Sequence, residues 1–133
     1  MFIAEINLGG VVRTVNFNNH FREALGRMYD LDPLEAIRKL AGMWEVSYTA
    51  AAEDVIYCGL IGQCRFMRQP VDFTVQDVSI WLESAKDKDV APALKVFLAS
   101  QAERPLFKLN NSDEDNEAKK KNRPRGRTSK TSQ

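Results

Sequence analysis

Two adjacent glycines, Gly9-Gly10, sit between two stretches that alternate apolar and polar residues, and this arrangement constrains the fold more than any other feature of the chain. On one side Phe2, Ala4, Ile6 and Leu8 alternate with Ile3, Glu5 and Asn7; on the other Val11, Arg13, Val15 and Phe17 alternate with Val12, Thr14 and Asn16. A period of two on both sides of a two-residue glycine turn predicts an antiparallel β-hairpin, because a tight turn demands positive φ angles that glycine adopts without a steric penalty. A lone hairpin is marginal in water, so it must lie against something else or pair with another chain through its edges.

The residues that follow read as helices. Phe21, Ala24, Leu25 and Met28 share one helical face after the polar start at Asn18-Asn19, and that helix ends over residues 29–31. Asp32-Pro33-Leu34-Glu35 supplies an N-cap, a proline at the first helical position and a carboxylate two positions later, with Leu34, Ile37, Leu40, Ala41 and Trp44 at helical spacing behind them. That predicts a second helix of about three turns. A third, longer helix is expected from near 47 or 49 to 67, with Ala52, Val55, Ile56, Gly59, Leu60 and Gln63 to Cys64 on one side and Pro70 closing the connection. Tyr57, Ile61 and Phe66 widen its apolar stripe, which predicts the central, most buried helix. Thr74-Val75-Gln76-Asp77 resembles a capping box ahead of Val78, Trp81, Leu82 and Ala85, and a last helix is expected over about 90–101, displaying Leu94, Phe97 and Leu98 before Pro105. The expected fold is α+β and mostly α: an N-terminal β-hairpin followed by about five helices, ending in a disordered C-terminal tail.

That tail begins where composition changes. From Asn110 onward Phe, Leu, Ile, Val, Met, Trp and Tyr are absent, so the segment cannot bury enough apolar surface to offset its ordering entropy. The expected division is a folded domain over 1–108 and a disordered tail over 109–133. The net charge of +1 hides an uneven distribution: residues 1–108 carry 12 Lys/Arg against 14 Asp/Glu, and 109–133 carry 7 against 4. Asp113, Glu114, Asp115 and Glu117 come first, and Lys119, Lys120, Lys121, Arg123, Arg125, Arg127 and Lys130 follow without an acid among them. These cations could contact nucleic acid phosphates or an acidic protein surface, although no aromatic is interleaved for base stacking, so sequence-specific reading of nucleic acid is not expected.

No run approaches the roughly 20 apolar residues of a membrane-spanning helix, and no secretory signal is visible at the N-terminus. With only Cys58 and Cys64 present, a reducing, cytoplasmic compartment is expected. Candidate chemistry is sparse. His20, the only histidine, stands at a helix start with Glu23 three residues on and reads as a solvated or capping side chain. Cys58 and Cys64, six apart on a helix, are about 240° out of register and cannot face one metal ion together. Neither Gly9-Gly10 nor Gly59-Leu60-Ile61-Gly62 has the length of a phosphate-binding loop, and no Gly-x-Ser-x-Gly occurs. No catalytic residue, metal ligand or cofactor is assigned. Trp44, Tyr48, Phe66, Trp81 and Phe97 are the candidate partner-binding residues, since aromatic anchors dominate interfaces, although at helical spacing such side chains more often fill a core.

The order of these parts resembles a known family. The Gly-Gly hairpin leads through Val15-Asn16-Phe17 into Phe21-x-x-Ala24-Leu25 and then Asp32-Pro33-Leu34-Glu35-Ala36-Ile37. Tyr48-Thr49-Ala50-Ala51-Ala52, Ile56-Tyr57-Cys58-Gly59-Leu60 and Asp72-Phe73-Thr74-Val75-Gln76-Asp77-Val78 with Trp81-Leu82 come after. Over about residues 2–85 this succession is similar to the tail assembly chaperones of long-tailed (siphovirus-like) bacteriophages and prophages. The resemblance implies a non-catalytic role in the host cytoplasm: binding the long, largely helical tape measure protein, keeping it soluble, promoting polymerisation of the tail tube protein around it, and leaving before the virion is complete. It also brings in a translational frameshift, for which Ala118-Lys119-Lys120-Lys121 could be encoded by an adenine-rich slippery stretch. The hairpin edge permits self-association, with Glu5 and Arg13 able to blunt that edge. The competing readings are a nucleic-acid-binding accessory protein that uses the basic tail, and a structural tail or neck subunit.

Overall fold

The structure, a computed structural model, describes residues 2–103. The expected boundary at 108, the disordered tail, its contacts at Lys119, Lys120, Lys121, Arg123, Arg125 and Arg127, and the slippery run all lie outside the described residues. Within the described residues the architecture is the expected one: an N-terminal antiparallel hairpin followed by five helices.

Strands β1 (Ile3–Leu8) and β2 (Val11–Asn16) pair with Leu8 opposite Val11, so that Gly9 and Gly10 alone make the turn, at φ 63° and 78°. Both angles are positive, the geometry of a two-residue turn whose twist matches the strands. Ala4, Ile6 and Leu8 are buried and Ile3, Glu5 and Asn7 exposed, the alternation read from the sequence. In β2 the inward face is less regular. Val15 is fully buried, Arg13 lays its guanidinium 3.8 Å from the centre of the Trp81 ring, and Val11 is exposed.

Helix α1 (Asn19–Tyr29) starts where the Asn18 side chain accepts the Phe21 N–H at 2.9 Å, and stops at Asp30, which turns left-handed at φ 56°. Helix α2 (Pro33–Val46) opens with Asp32 accepting the Glu35 N–H at 3.0 Å. It is 14 residues long, nearly four turns rather than three, because no breaker follows Trp44 until Ser47. Ser47 is both the last cap of α2 and the first of α3 (Tyr48–Phe66).

Helix α3 is central. Ala51, Val55, Ile56, Cys58, Gly59, Leu60, Ile61 and Gly62 are buried against α1 and α2 on one side and β2 on the other. Gly59 and Gly62 allow the strand to approach: a methyl at Gly59 would stand 2.9 Å from a Phe17 ring carbon, and one at Gly62 would strike the Asn16 carbonyl oxygen. Asn18 Nδ2 donates to the Gly62 carbonyl at 3.2 Å, and Asn16 Nδ2 donates to Gln63 Oε1 at 3.1 Å. The exit of the hairpin is therefore clasped to the middle of α3 by polar bonds that α3 could not make with a larger residue at 62.

Helix α4 (Val75–Ser84) carries the expected capping box, with Asp77 N–H donating to Thr74 and the Thr74 N–H donating to Asp77. Helix α5 (Asp87–Glu103) begins three residues before the expected start at 90. The Asp89 carboxylate accepts the Lys86 N–H at 3.1 Å, and Asp87 and Asp89 place negative charge at the positive end of the helix dipole. Pro92 then falls inside the helix, where its missing N–H leaves the Lys88 carbonyl without that helical donor.

Candidate partner-binding groove

The aromatic residues divide once their surroundings are known. Phe97 projects from α5 into the centre of the molecule, with ring centroids 5.5 Å from Phe17, 5.7 Å from Phe21 and 5.6 Å from Trp44. It is fully buried, which corrects its assignment as a partner contact: it is a core side chain that anchors α5. Trp44 is half-buried, stacked on Phe97 and meeting the Tyr48 ring edge-on at 5.2 Å. Trp81 is half-buried beside Phe73, under the Arg13 guanidinium and against Gly9 at the hairpin turn. Tyr48 and Phe66 are exposed, at opposite ends of α3.

Tyr48 opens onto a groove of about 470 Å³ between the first turns of α3, the end of α4 and the outer face of α5. Ala52, Ala85 and Ala91 are its small lining residues, Tyr48, Leu82 and Leu98 reach its surface, and Leu94 lies buried beneath it. Leu98 is 45% exposed, a large apolar side chain on an open helix face. The remaining participants include three charged residues, Glu53, Asp87 and Lys95.

The Trp44 ring touches both Tyr48 and Phe97, which sets the start of α3 beside residues 95–98 of α5. Ser79 of α4 donates to the Glu53 carboxylate at 3.0 Å, and Asp87 follows α4 after two residues. Of the five aromatics read from the sequence, the groove uses Tyr48 directly and Trp44 as its support. Leu82, Leu94, Leu98 and the three alanines are not among the residues that the sequence marks as partner contacts. The signal that could find them is Leu98, an apolar residue one position outside the stripe that buries Phe97 and Leu94.

The polar residues elsewhere have structural surroundings. Tyr29 donates its hydroxyl to Asp54 at 2.5 Å, tying α1 to α3, with Lys39 at 4.8 Å from the Tyr29 ring centre. Burial raises the pKa of both groups, Tyr29 above the ordinary phenol range and Asp54 above the ordinary carboxylate range. Burial likewise pushes the Cys58 thiol well up, and the half-buried Cys64 is shifted in the same direction for the same reason. Thiols held in their neutral form are weak nucleophiles and weak metal ligands. His20 Nδ1 stands 3.8 Å from Glu23 on the surface of α1. Among the described residues no group of three His, Cys, Asp or Glu is placed to hold a metal ion, and no helix is long and apolar enough to cross a membrane.

Comparisons of the chain with protein-family models, curated proteins and solved structures give no match.

Proposed function

We propose that this chain is a non-catalytic tail assembly chaperone of a long-tailed bacteriophage or prophage, one that covers apolar helical segments of the tape measure protein until the tail tube protein displaces it. The observation that carries the reading is the groove between α3, α4 and α5, a largely apolar channel onto which Tyr48, Leu82 and Leu98 open. A channel of this kind suits an amphipathic helix, whose apolar stripe can lie along it. The succession of hairpin, capped helices and aromatic positions that resembles such chaperones supports it from the sequence side.

The physical logic is one of coverage. A very long helical polypeptide with continuous apolar stripes aggregates unless those stripes are occupied. Small domains acting in many copies, each bound weakly, cover the length and still yield to a polymerising tube. The chain then acts in the host cytoplasm and is not retained in the virion.

Co-expression with the tape measure protein of the same genome tests the reading. The soluble yield of that partner should rise severalfold, and the two should co-purify, with the full chain and with a variant truncated after residue 109. Retention of the chain in purified virions, found by mass spectrometry, would contradict the reading in favour of a structural tail subunit. Partner solubility lost on truncation, together with steeply salt-dependent DNA binding by the full chain, would move the function to the basic tail.

A further inference from the structure

We infer that the outer edge of β2, at Val12 and Thr14, takes a strand from another polypeptide: an extended segment of alternating apolar and polar residues with a basic side chain, laid between the hairpin and α3. This goes beyond the chaperone reading and does not depend on it.

The argument begins with the parity of the ladder. Residues opposite one another in an antiparallel pair alternate between those that exchange both backbone bonds and those whose N–H and C=O groups point away. The Phe17 N–H donates to the Phe2 carbonyl at 2.9 Å, and Leu8 faces Val11 across the two-glycine turn. Val11, Arg13, Val15 and Phe17 are therefore the positions bonded to β1, while Val12, Thr14 and Asn16 present their backbone groups to the other side. On that side the Asn16 carbonyl meets α3 at Gly62, where a methyl would strike it. Helix α3 thus lies along the outer edge of β2 and seals it at Asn16. At Thr14 the seal gives way to a groove of about 460 Å³, which Thr14 lines together with Leu60, Gln63, Cys64 and Met67 of α3 and with Phe73. Among the described residues nothing bonds the outward N–H or C=O of Val12 or Thr14.

Unpaired backbone groups in a row are satisfied by another extended chain, and an edge beside a walled groove adds side-chain selection to that pairing. A guest strand sets one set of alternate side chains on the face that carries Val15, near Leu60, Met67 and Phe73, and the other beside Val12 and Thr14. Met67 is half exposed, and its flexible thioether can fit itself to the guest. Val12 and Thr14 are β-branched, the type that packs best against a cross-strand neighbour. The charge of the guest follows from Asp72, which lines the groove, is exposed and has no ion-pair partner among the described residues. Arg13, the cation of the groove, is already engaged: its guanidinium lies over Trp81 and its Nε donates to the Leu8 carbonyl at 3.1 Å. The outer edge of β1 differs, because Glu5 stands in its middle, a charge of the kind that deters strand pairing.

The probe is an end-capped peptide of about eight residues in which valines and threonines alternate between terminal lysines. Amide exchange, followed by NMR on the full chain, should find Val12 and Thr14 fast and Arg13 and Val15 slow in the free protein. Saturating peptide should slow Val12 and Thr14 by at least about tenfold. N-methylation of one alternate set of the peptide's amides should abolish binding and methylation of the other set should spare it, since only one set faces β2; loss with the threonine set marks an antiparallel guest and loss with the valine set a parallel one. Thr14→Pro removes an outward N–H and takes nothing from the β1 ladder, so it should weaken the peptide at least about fivefold, the loss of one backbone hydrogen bond, while leaving the circular dichroism spectrum unchanged. Asp72→Asn should weaken it about threefold at low salt.

Equal effects of the two methylation sets, or protection confined to Ile3, Glu5 and Asn7, overturn the proposal. Protection of Val12 and Thr14 that rises with the concentration of the chain alone gives the edge to a second copy and overturns it too. Unchanged affinity in Asp72→Asn strikes the basic side chain from the motif. Peptide binding of the expected parity in a chain that fails to solubilise the tape measure protein upholds the strand site and sinks the chaperone reading.

Discussion

A methyl group added at Gly62 would strike the Asn16 carbonyl oxygen, whereas one added at Gly42 would meet nothing within 4 Å. The same substitution should therefore act with opposite sign in two helices. Gly62→Ala forces β2 away from α3 and is expected to cost about 1–3 kcal/mol, the range for inserting a group into a packed interior. Gly42→Ala removes a flexible residue from the exposed side of α2 and should stabilise by about 0.5–1 kcal/mol. Urea denaturation of the two variants checks both signs. The Tyr29–Asp54 pair makes a second residue-scale prediction. Burial raises the folded-state pKa of Asp54 above its unfolded value, so the fold favours the protonated carboxyl. Its contribution is then fully present below the ordinary carboxylate pKa and is lost as pH rises through the raised folded value. Asp54→Asn removes this dependence. The urea midpoint of the variant should rise relative to that of the native chain as pH increases across that window, and a relative midpoint that stays constant or falls would contradict the assignment.

At the scale of elements, the parts with local signals are legible in the sequence and those set by tertiary packing are not. The glycine turn, the Asn18 and Asp32 caps and the Thr74–Asp77 box are written in residue types whose side chains satisfy specific backbone groups, so each marks its boundary within a residue or two. The start of α5 lies ahead of its expected place because the apolar spacing of Leu94, Phe97 and Leu98 marks only the packed part of the helix, while Asp87 and Asp89 begin it a turn earlier. The aromatics cannot be sorted from sequence because Phe97 and Leu98 are neighbours on one helix, and only the packing of Phe17, Phe21 and Trp44 decides which of them turns inward. The groove is hidden for the same reason, since α3 and α5 are far apart in the chain. Two substitutions separate core from surface. Phe97→Ala should cost about 3–5 kcal/mol and abolish hydrogen-exchange protection in α5 ahead of the other helices. Phe66→Ser, at an exposed position, should change stability by less than about 0.5 kcal/mol. Thr74→Ala should cost about 1 kcal/mol and raise exchange in the first turn of α4.

At the largest scale, β2, α1, α2 and α4 pack around α3, and Phe97 anchors α5 against Phe17, Phe21 and Trp44. That arrangement leaves the outer face of α5, the end of α4 and the first turns of α3 around a largely apolar channel. The proposed function gives this channel the work of covering apolar helical surface on another chain and releasing it. Light scattering during dilution of denatured tape measure protein into buffer measures that claim most directly. The native chain should suppress the scattering in proportion to its molar ratio, reaching a plateau only at several copies per partner, and Ala91→Glu at the same concentrations should leave aggregation nearly untouched. Equal protection by the native chain and Ala91→Glu, or none by either, would contradict it.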